Sequence, residues 1–127
     1  MNVECAAGPF QVCGSCKQAW TSLDGFVLDS SVRLLGLQFE ATHPDVNLLV
    51  FEHSCGSSIS ILSRRLYSLL PEPEPGDPRT TLRGTAQCRG HCRRLGDLAA
   101  CDAPCINARD RNLILLVQEM RKGSRKP

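Results

Sequence analysis

Aromatic residues are scarce in this chain: its 127 residues include four Phe, one Trp and one Tyr. A core of Leu, Val and Ile can fold, but lobes of roughly 60 residues are marginal without a crosslink or a metal. Long apolar runs are missing as well. The longest are of the size of "LILLV" at 113–117, far below the ~20 residues of a membrane-spanning helix. The opening "MNVECAAGPFQVCGSC" has no basic start followed by an apolar run, so no secretory signal is read there. Net charge is also small, with 15 Lys/Arg against 13 Asp/Glu, which gives no argument for nucleic acid. No Ser/His/Asp set, paired-carboxylate motif, P-loop or dinucleotide fingerprint stands out. The expectation is a non-enzymatic module.

Cysteine is abundant, with eight residues. With no signal segment, the chain is expected to be cytoplasmic, where thiols stay reduced and free to bind metal. Charge is uneven along the chain. Residues 1–70 carry four Lys/Arg against six Asp/Glu, and residues 71–127 carry eleven against seven. The C-terminal half is mildly basic, which reads first as a solvated surface and second as a preference for an anionic partner.

"PEPEPGDPR" at 71–79 holds four prolines and a glycine. It reads as a semi-rigid linker between a lobe over 1–70 and a four-cysteine lobe over 80–127. The overall class expected is α+β. In "LGLQFEAT", Leu35, Leu37, Phe39 and Ala41 alternate with polar residues, the period of a half-buried strand. "HPDVN" at 43–47 is a turn and "LLVFEHSC" a second, antiparallel strand. After Gly56, "SSISILSRRLYSLL" spaces Ile59, Leu62, Leu66 and Leu69 or Leu70 as a helix that Ser57 or Ser58 caps and Pro71 ends. A second helix is expected from Cys105, with Ile106, Leu113, Leu116, Val117 and Met120 on one face. Asp102 would be its N-cap, Pro104 would lie in its first turn and Gly123 would end it.

Cys13-Gly-Ser-Cys16 is a C-x2-C pair, whose tight turn aims two sulfurs at one point. Tetrahedral zinc needs two more ligands. His53 and Cys55, two apart on a strand end, project to one side, and Gly56 lets the backbone turn after them. The first candidate site is therefore Cys13, Cys16, His53 and Cys55. Cys5 is the substitute for His53, which otherwise reads as a hydrogen-bonded histidine at a strand end. A redox role for the C-x2-C pair is the alternative, but no persuasive long helix follows it. Haem attachment fails because Lys17 follows Cys16.

"CRGHCRRLGDLAACDAPC" at 88–105 holds two C-x3-C pairs joined by eight residues. In a helical turn, residues i and i+4 face one side, so Cys88, Cys92, Cys101 and Cys105 can converge as four thiolates. That set suits zinc or an iron–sulfur cluster. Arg89, Arg93 and Arg94 offset its charge. Disulfides and free thiols are the other readings, and His91 could replace one cysteine. Zinc is favoured over a cluster because the usual C-x2-C-x2-C spacing is absent. The cofactor expectation is two zinc ions per chain, or one zinc plus one iron–sulfur cluster.

"CGSCKQAW", followed by a hairpin carrying "HSCG", resembles the zinc-ribbon architecture over about residues 10–56. It departs from the common form in having H-x-C where a second C-x2-C is usual. The resemblance implies a small antiparallel sheet gripping one structural zinc ion, and a role in protein interaction. The order of C-x2-C, "LLGLQFE", "LLVFEHSCGSS", two C-x3-C pairs and "CINARDR" also resembles a group of small bacterial cysteine-rich proteins with no assigned activity.

A protein partner is thus expected, with no membrane association. Nucleic acid is a secondary possibility, because the arginines at 79–94 lack interleaved aromatics. A redox or electron-transfer protein with a cluster at 88–105 is the alternative function. Hydrolysis at a three-ligand zinc is a third option should His53 not bind.

Overall fold

The polypeptide begins with a hairpin, strands β1 (Gln11–Val12) and β2 (Ala19–Trp20), in which Gln11 pairs with Trp20 and Val12 with Ala19. The computed structural model describes residues 8–40, 46–71, 82 and 85–125, without the side chains of 123–125. Cys5, residues 43–45 of the expected turn and residues 72–79 of the proline-rich linker lie outside the described residues.

Helix α1 (Leu23–Val27) is a single short turn whose N-cap, Ser22, accepts a hydrogen bond from the Gly25 N–H at 3.0 Å. It buries Phe26 and Val27. Strands β3 (Val32–Gln38), β4 (Leu48–His53) and β5 (Ser58–Leu62) then form an antiparallel sheet in the order β3-β4-β5. Two antiparallel sheets with helices make this a small α+β fold.

Three elements differ from the sequence expectation. The alternation in β3 is interrupted by a bulge between Leu34 and Gly36. Leu37 is therefore fully buried while Leu35 and Phe39 are only half-buried. Residues 58–62 form a strand and not a helix. Ser58 and Ser60 are exposed and Ile59 and Ile61 buried, a period of two, and β-branched Ile suits a pleated surface. Leu66, the next apolar residue of the supposed helix, falls instead in the 3-10 segment Ser63–Leu69. Helix α2 (Asn107–Arg125) begins after Asp102 and Pro104 and continues through Gly123. A glycine within a helix costs ~1 kcal/mol without forcing a stop.

Four of the six aromatic rings are pooled. Phe26 stands edge-on to Trp20 (5.0 Å, 87°) and to Phe51 (4.9 Å, 83°), with Phe10 at 5.9 Å. Around them pack Val32, Leu37, Leu49 and Ile61 from the sheet, and Leu113, Ile114 and Val117 from α2. Each such side chain contributes about 1.5–3 kcal/mol of burial. The apolar face of α2 thus completes the core over β3–β5.

Polar anchors fix the helix in register. The Asp110 carboxylate, fully buried, accepts from Asn47 Nδ2 (2.7 Å), Ser63 Oγ (2.9 Å) and Tyr67 OH (2.6 Å). Asn47 Nδ2 also donates to Asn107 Oδ1 at 2.8 Å. The next residue, Arg111, is fully buried and reaches the other way, donating from Nε to the Ala99 carbonyl at 2.8 Å and from Nη2 to the Asp97 carbonyl. One helix turn therefore grips both the sheet and the cysteine-bearing loop. Among the described residues, no helix is long and apolar enough to cross a membrane.

Candidate metal centre

The loop between β1 and β2 is closed by two backbone hydrogen bonds, Cys13 N–H to Gln18 O (2.8 Å) and Lys17 N–H to Cys13 O (3.0 Å). Lys17 takes a left-handed φ of 69° to complete the turn. This knuckle buries Cys13 and leaves Cys16 at the surface.

The other half of the site is the β4–β5 turn. His53 ends β4, its N–H bonded to Ser57 O at 2.9 Å, and the Gly56 N–H closes the turn on His53 O at 2.8 Å. Gly56 sits at φ 95°, a conformation that favours glycine. The Ser54 N–H is held by Ser31 O at 2.9 Å, which fixes the turn against the start of β3. Two independent turns are thereby locked side by side.

The ligand atoms of Cys13, Cys16, His53 and Cys55 all lie within 4.8 Å of one another. Cys13 Sγ is 3.6 Å from Cys55 Sγ, and Cys16 Sγ is 3.6 Å from His53 Nδ1. A tetrahedral zinc ion with Zn–S of about 2.3 Å sets its sulfurs about 3.8 Å apart. The spacing is that of a single-ion site.

The electrostatics fit a cation too. The Cys13 thiol is lowered to about 5, chiefly by the Cys16 backbone N–H and then by the Ser57 hydroxyl, against the cost of burial. Cys55 is lowered as well, first by the Ser57 hydroxyl. Cys16 is pushed up: the Gln18 N–H favours its thiolate, but burial and the neighbouring Cys13 and Cys55 thiols outweigh that. His53 is raised by its contact with Cys55, against burial. The negative charge thus falls on the lowered pair, Cys13 and Cys55, while Cys16 and His53 are shifted toward their protonated forms.

His53 is buried, and its Nε2 has no hydrogen-bond partner among the described residues. Trp20 stands edge-on to the imidazole at 5.1 Å. A structural core histidine would ordinarily have its ring nitrogens paired, whereas this one turns Nδ1 into a nest of thiols. Three sulfurs and one imidazole are a donor set that zinc favours.

Ser57 was not foreseen as part of the site. Its hydroxyl lies 3.2 Å from both Cys13 Sγ and Cys55 Sγ. It lies in the β4–β5 turn just after Cys55 and Gly56, immediately before β5 begins.

The second cysteine set is arranged differently. Its C-x3-C pairs do not occupy helical turns. Cys88 is in a loop, Cys92 in the 3-10 turn His91–Arg93, and Cys101 and Cys105 precede α2. Gly90 at φ 84° breaks the turn between Cys88 and Cys92, and Pro104 disfavours helical backbone at Ala103 just before it. All four sulfur-bearing residues line one cavity of about 260 Å³, shared with Phe39 and Leu82. Among the described residues they do not form a group whose ligand atoms lie within 4.8 Å of one another.

His91 also borders this cavity, with Nδ1 paired to Asp97 Oδ2 at 2.9 Å. Arg89 bonds Asp102 at 3.0 Å. The Cys92 thiol is pushed up by burial, against the favourable Arg111 contact. The seven described cysteines are all free of disulfides. No family model, curated protein or solved structure matches the chain.

Proposed function

We propose that Cys13, Cys16, His53 and Cys55 hold one structural zinc ion, and that the chain is a non-enzymatic module presenting a metal-stiffened surface to a protein partner in the cytoplasm. The observation that carries the reading is the convergence of four zinc-type donors from two turns, all within 4.8 Å.

Four protein ligands complete a tetrahedron and leave no position for water, the hallmark of a structural site. The ion would join the β1–β2 knuckle to the β4–β5 turn and so brace a small sheet. The chain's own residues supply three thiolates, the orienting Ser57 hydroxyl, and an imidazole held against Trp20. Zinc supplies a crosslink and balances the thiolate charge. A reducing compartment keeps such thiols available.

Equilibrium titration of apo protein with zinc, against a competing chelator and followed by circular dichroism, tests this. Saturation at the first site with a cooperative gain of structure supports it. A spectrum indifferent to both zinc and chelator counts against it. Pull-down with zinc-loaded protein that recovers no specific partner, or only nucleic acid in a salt-sensitive manner, would defeat the protein-interaction part.

A further inference from the structure

The two cysteine sets hold their sulfurs differently, and the contrast carries chemical information. At the first site the donors already stand at single-ion spacing, within 4.8 Å of one another. At the second, Cys88, Cys92, Cys101 and Cys105 line an open volume of about 260 Å³, and among the described residues no three of them bring their sulfurs together as closely. A single zinc ion requires sulfurs about 3.8 Å apart. An iron–sulfur cluster sets its thiolates farther apart, because iron and inorganic sulfide stand between them.

Donors aimed at the sulfurs supply a second argument. The Leu82 backbone N–H reaches Cys105 Sγ at 3.2 Å, and Asn107 Nδ2 reaches the same atom at 3.7 Å. Arg111 Nη1 stands 3.9 Å from Cys92 Sγ, on a guanidinium with no solvent exposure. Hydrogen bonds to thiolate sulfur stabilise electron-rich clusters and set their potentials. A fully buried arginine is costly unless a negative group faces it. Its Nε and Nη2 meet backbone carbonyls and Asp97, and Nη1 points to the cysteine. Phe39, Leu82 and Ala103 add apolar wall beside Arg89, His91, Arg93 and Asn107.

We propose that Cys88, Cys92, Cys101 and Cys105 ligate one iron–sulfur cluster that fills this cavity. The Leu82 and Asn107 donors act on Cys105, and Arg111 acts on Cys92. The C-x3-C spacing, unlike the familiar C-x2-C-x2-C run, follows from building the site on a loop, a 3-10 turn and the lead-in to α2. This site is independent of the zinc site and of the reading attached to it.

The test is anaerobic reconstitution of the full chain with ferrous iron and sulfide. Iron and acid-labile sulfide are then quantified alongside visible absorption and Mössbauer spectra. Expected are a brown protein, equimolar iron and sulfide, and sulfur-coordinated iron. Cys88→Ser and Cys101→Ser each lose the iron and keep the zinc of the first site, whereas Cys13→Ser loses zinc and keeps the iron. Should the serine variants fail to fold, protection of the four cysteines from alkylation in the reconstituted wild type, read by mass spectrometry, replaces them. A colourless protein with a second zinc lost in Cys88→Ser overturns the proposal, as do disulfides among these four cysteines or labelling at all four. Loss of the zinc site alone leaves the cluster intact, so failure of one proposal is visible apart from the other.

Discussion

Cys13 and Cys55 are 42 residues apart in sequence, yet their sulfurs stand 3.6 Å from each other, with the Ser57 hydroxyl 3.2 Å from both. Nothing local to either cysteine produces that meeting. It results from two turns, each closed by its own backbone hydrogen bonds, packed edge to edge by the sheet and by Trp20. Unligated, two such thiolates repel; a cation between them reverses the sign of the interaction.

Replacing Cys13 by Ser is expected to abolish zinc binding at the first site. Cys13 is the fully buried member, so water cannot substitute easily for its thiolate. Thermal melts with and without chelator are the check: the wild type loses stability on chelation, and Cys13→Ser melts at the same temperature in both.

His53→Ala is expected to weaken zinc by more than ~10-fold, since loss of even an outer-shell partner costs about that much. His53→Cys keeps four donors and recovers most of the affinity. Competition with a chromophoric chelator reads both variants.

Gly36 is in contact with the cysteine-bearing loop. A Cβ there would come within 1.5 Å of the Leu95 carbonyl oxygen, so the loop must lift from β3. Gly36→Ala is expected to destabilise the fold by about 2 kcal/mol or more, as overpacking does, and to speed alkylation at Cys92. Urea denaturation and labelling rates measure the two effects.

Asp110 bridges α2 to Asn47, Ser63 and Tyr67. Asp110→Ala removes the acceptor shared by Asn47, Ser63 and Tyr67, leaving the buried Ser63 hydroxyl and one Asn47 N–H without it, and should cost on the order of 3 kcal/mol. Asp110→Asn keeps part of the network and should cost less. Neither change is expected to remove zinc at native conditions, which metal analysis of the folded variants checks.

Asp29 adds a pH dependence. Burial raises its pKa, but the Trp20 indole N–H at 2.7 Å and then the Ser31 N–H and hydroxyl hold it below the usual carboxylate range. A folded pKa lowered in this way means stability that is complete above the unfolded value of about 3.9 and lost as pH falls through the folded value. The stability difference between wild type and Asp29→Asn should therefore be full at neutral pH and shrink below about pH 4. Urea melts followed by fluorescence of the single tryptophan give that difference at each pH; a constant gap down to about pH 3 would contradict the assignment.

What the sequence made legible was local. The C-x2-C knuckle, the H-x-C strand end and Gly56 each specify their own turn, so the four candidate donors could be named before the fold was known. The β3–β4 hairpin was legible for the same reason. Residues 58–62 were not, because Ile59, Leu62 and Leu66 fit a helical interval while Ile59 and Ile61 fit a strand. Only pairing with β4 decides between them. The Asn47–Asp110–Ser63 network depends on contacts 47 and 63 residues apart, and no spacing rule reaches that far. The cavity among the second four cysteines escaped for a related reason: Gly90 and Pro104 replace the assumed helical turns with irregular backbone, whose path is set by Arg111 and by the close approach to Gly36.

X-ray absorption at the zinc edge, on protein loaded with one equivalent of zinc, tests the central claim most directly. The account predicts a four-coordinate ion with three sulfur ligands at about 2.3 Å and one imidazole nitrogen at about 2.0 Å, and the nitrogen shell disappears in His53→Cys. A first shell of oxygen, or a sulfur count that does not change in Cys13→Ser, would contradict it.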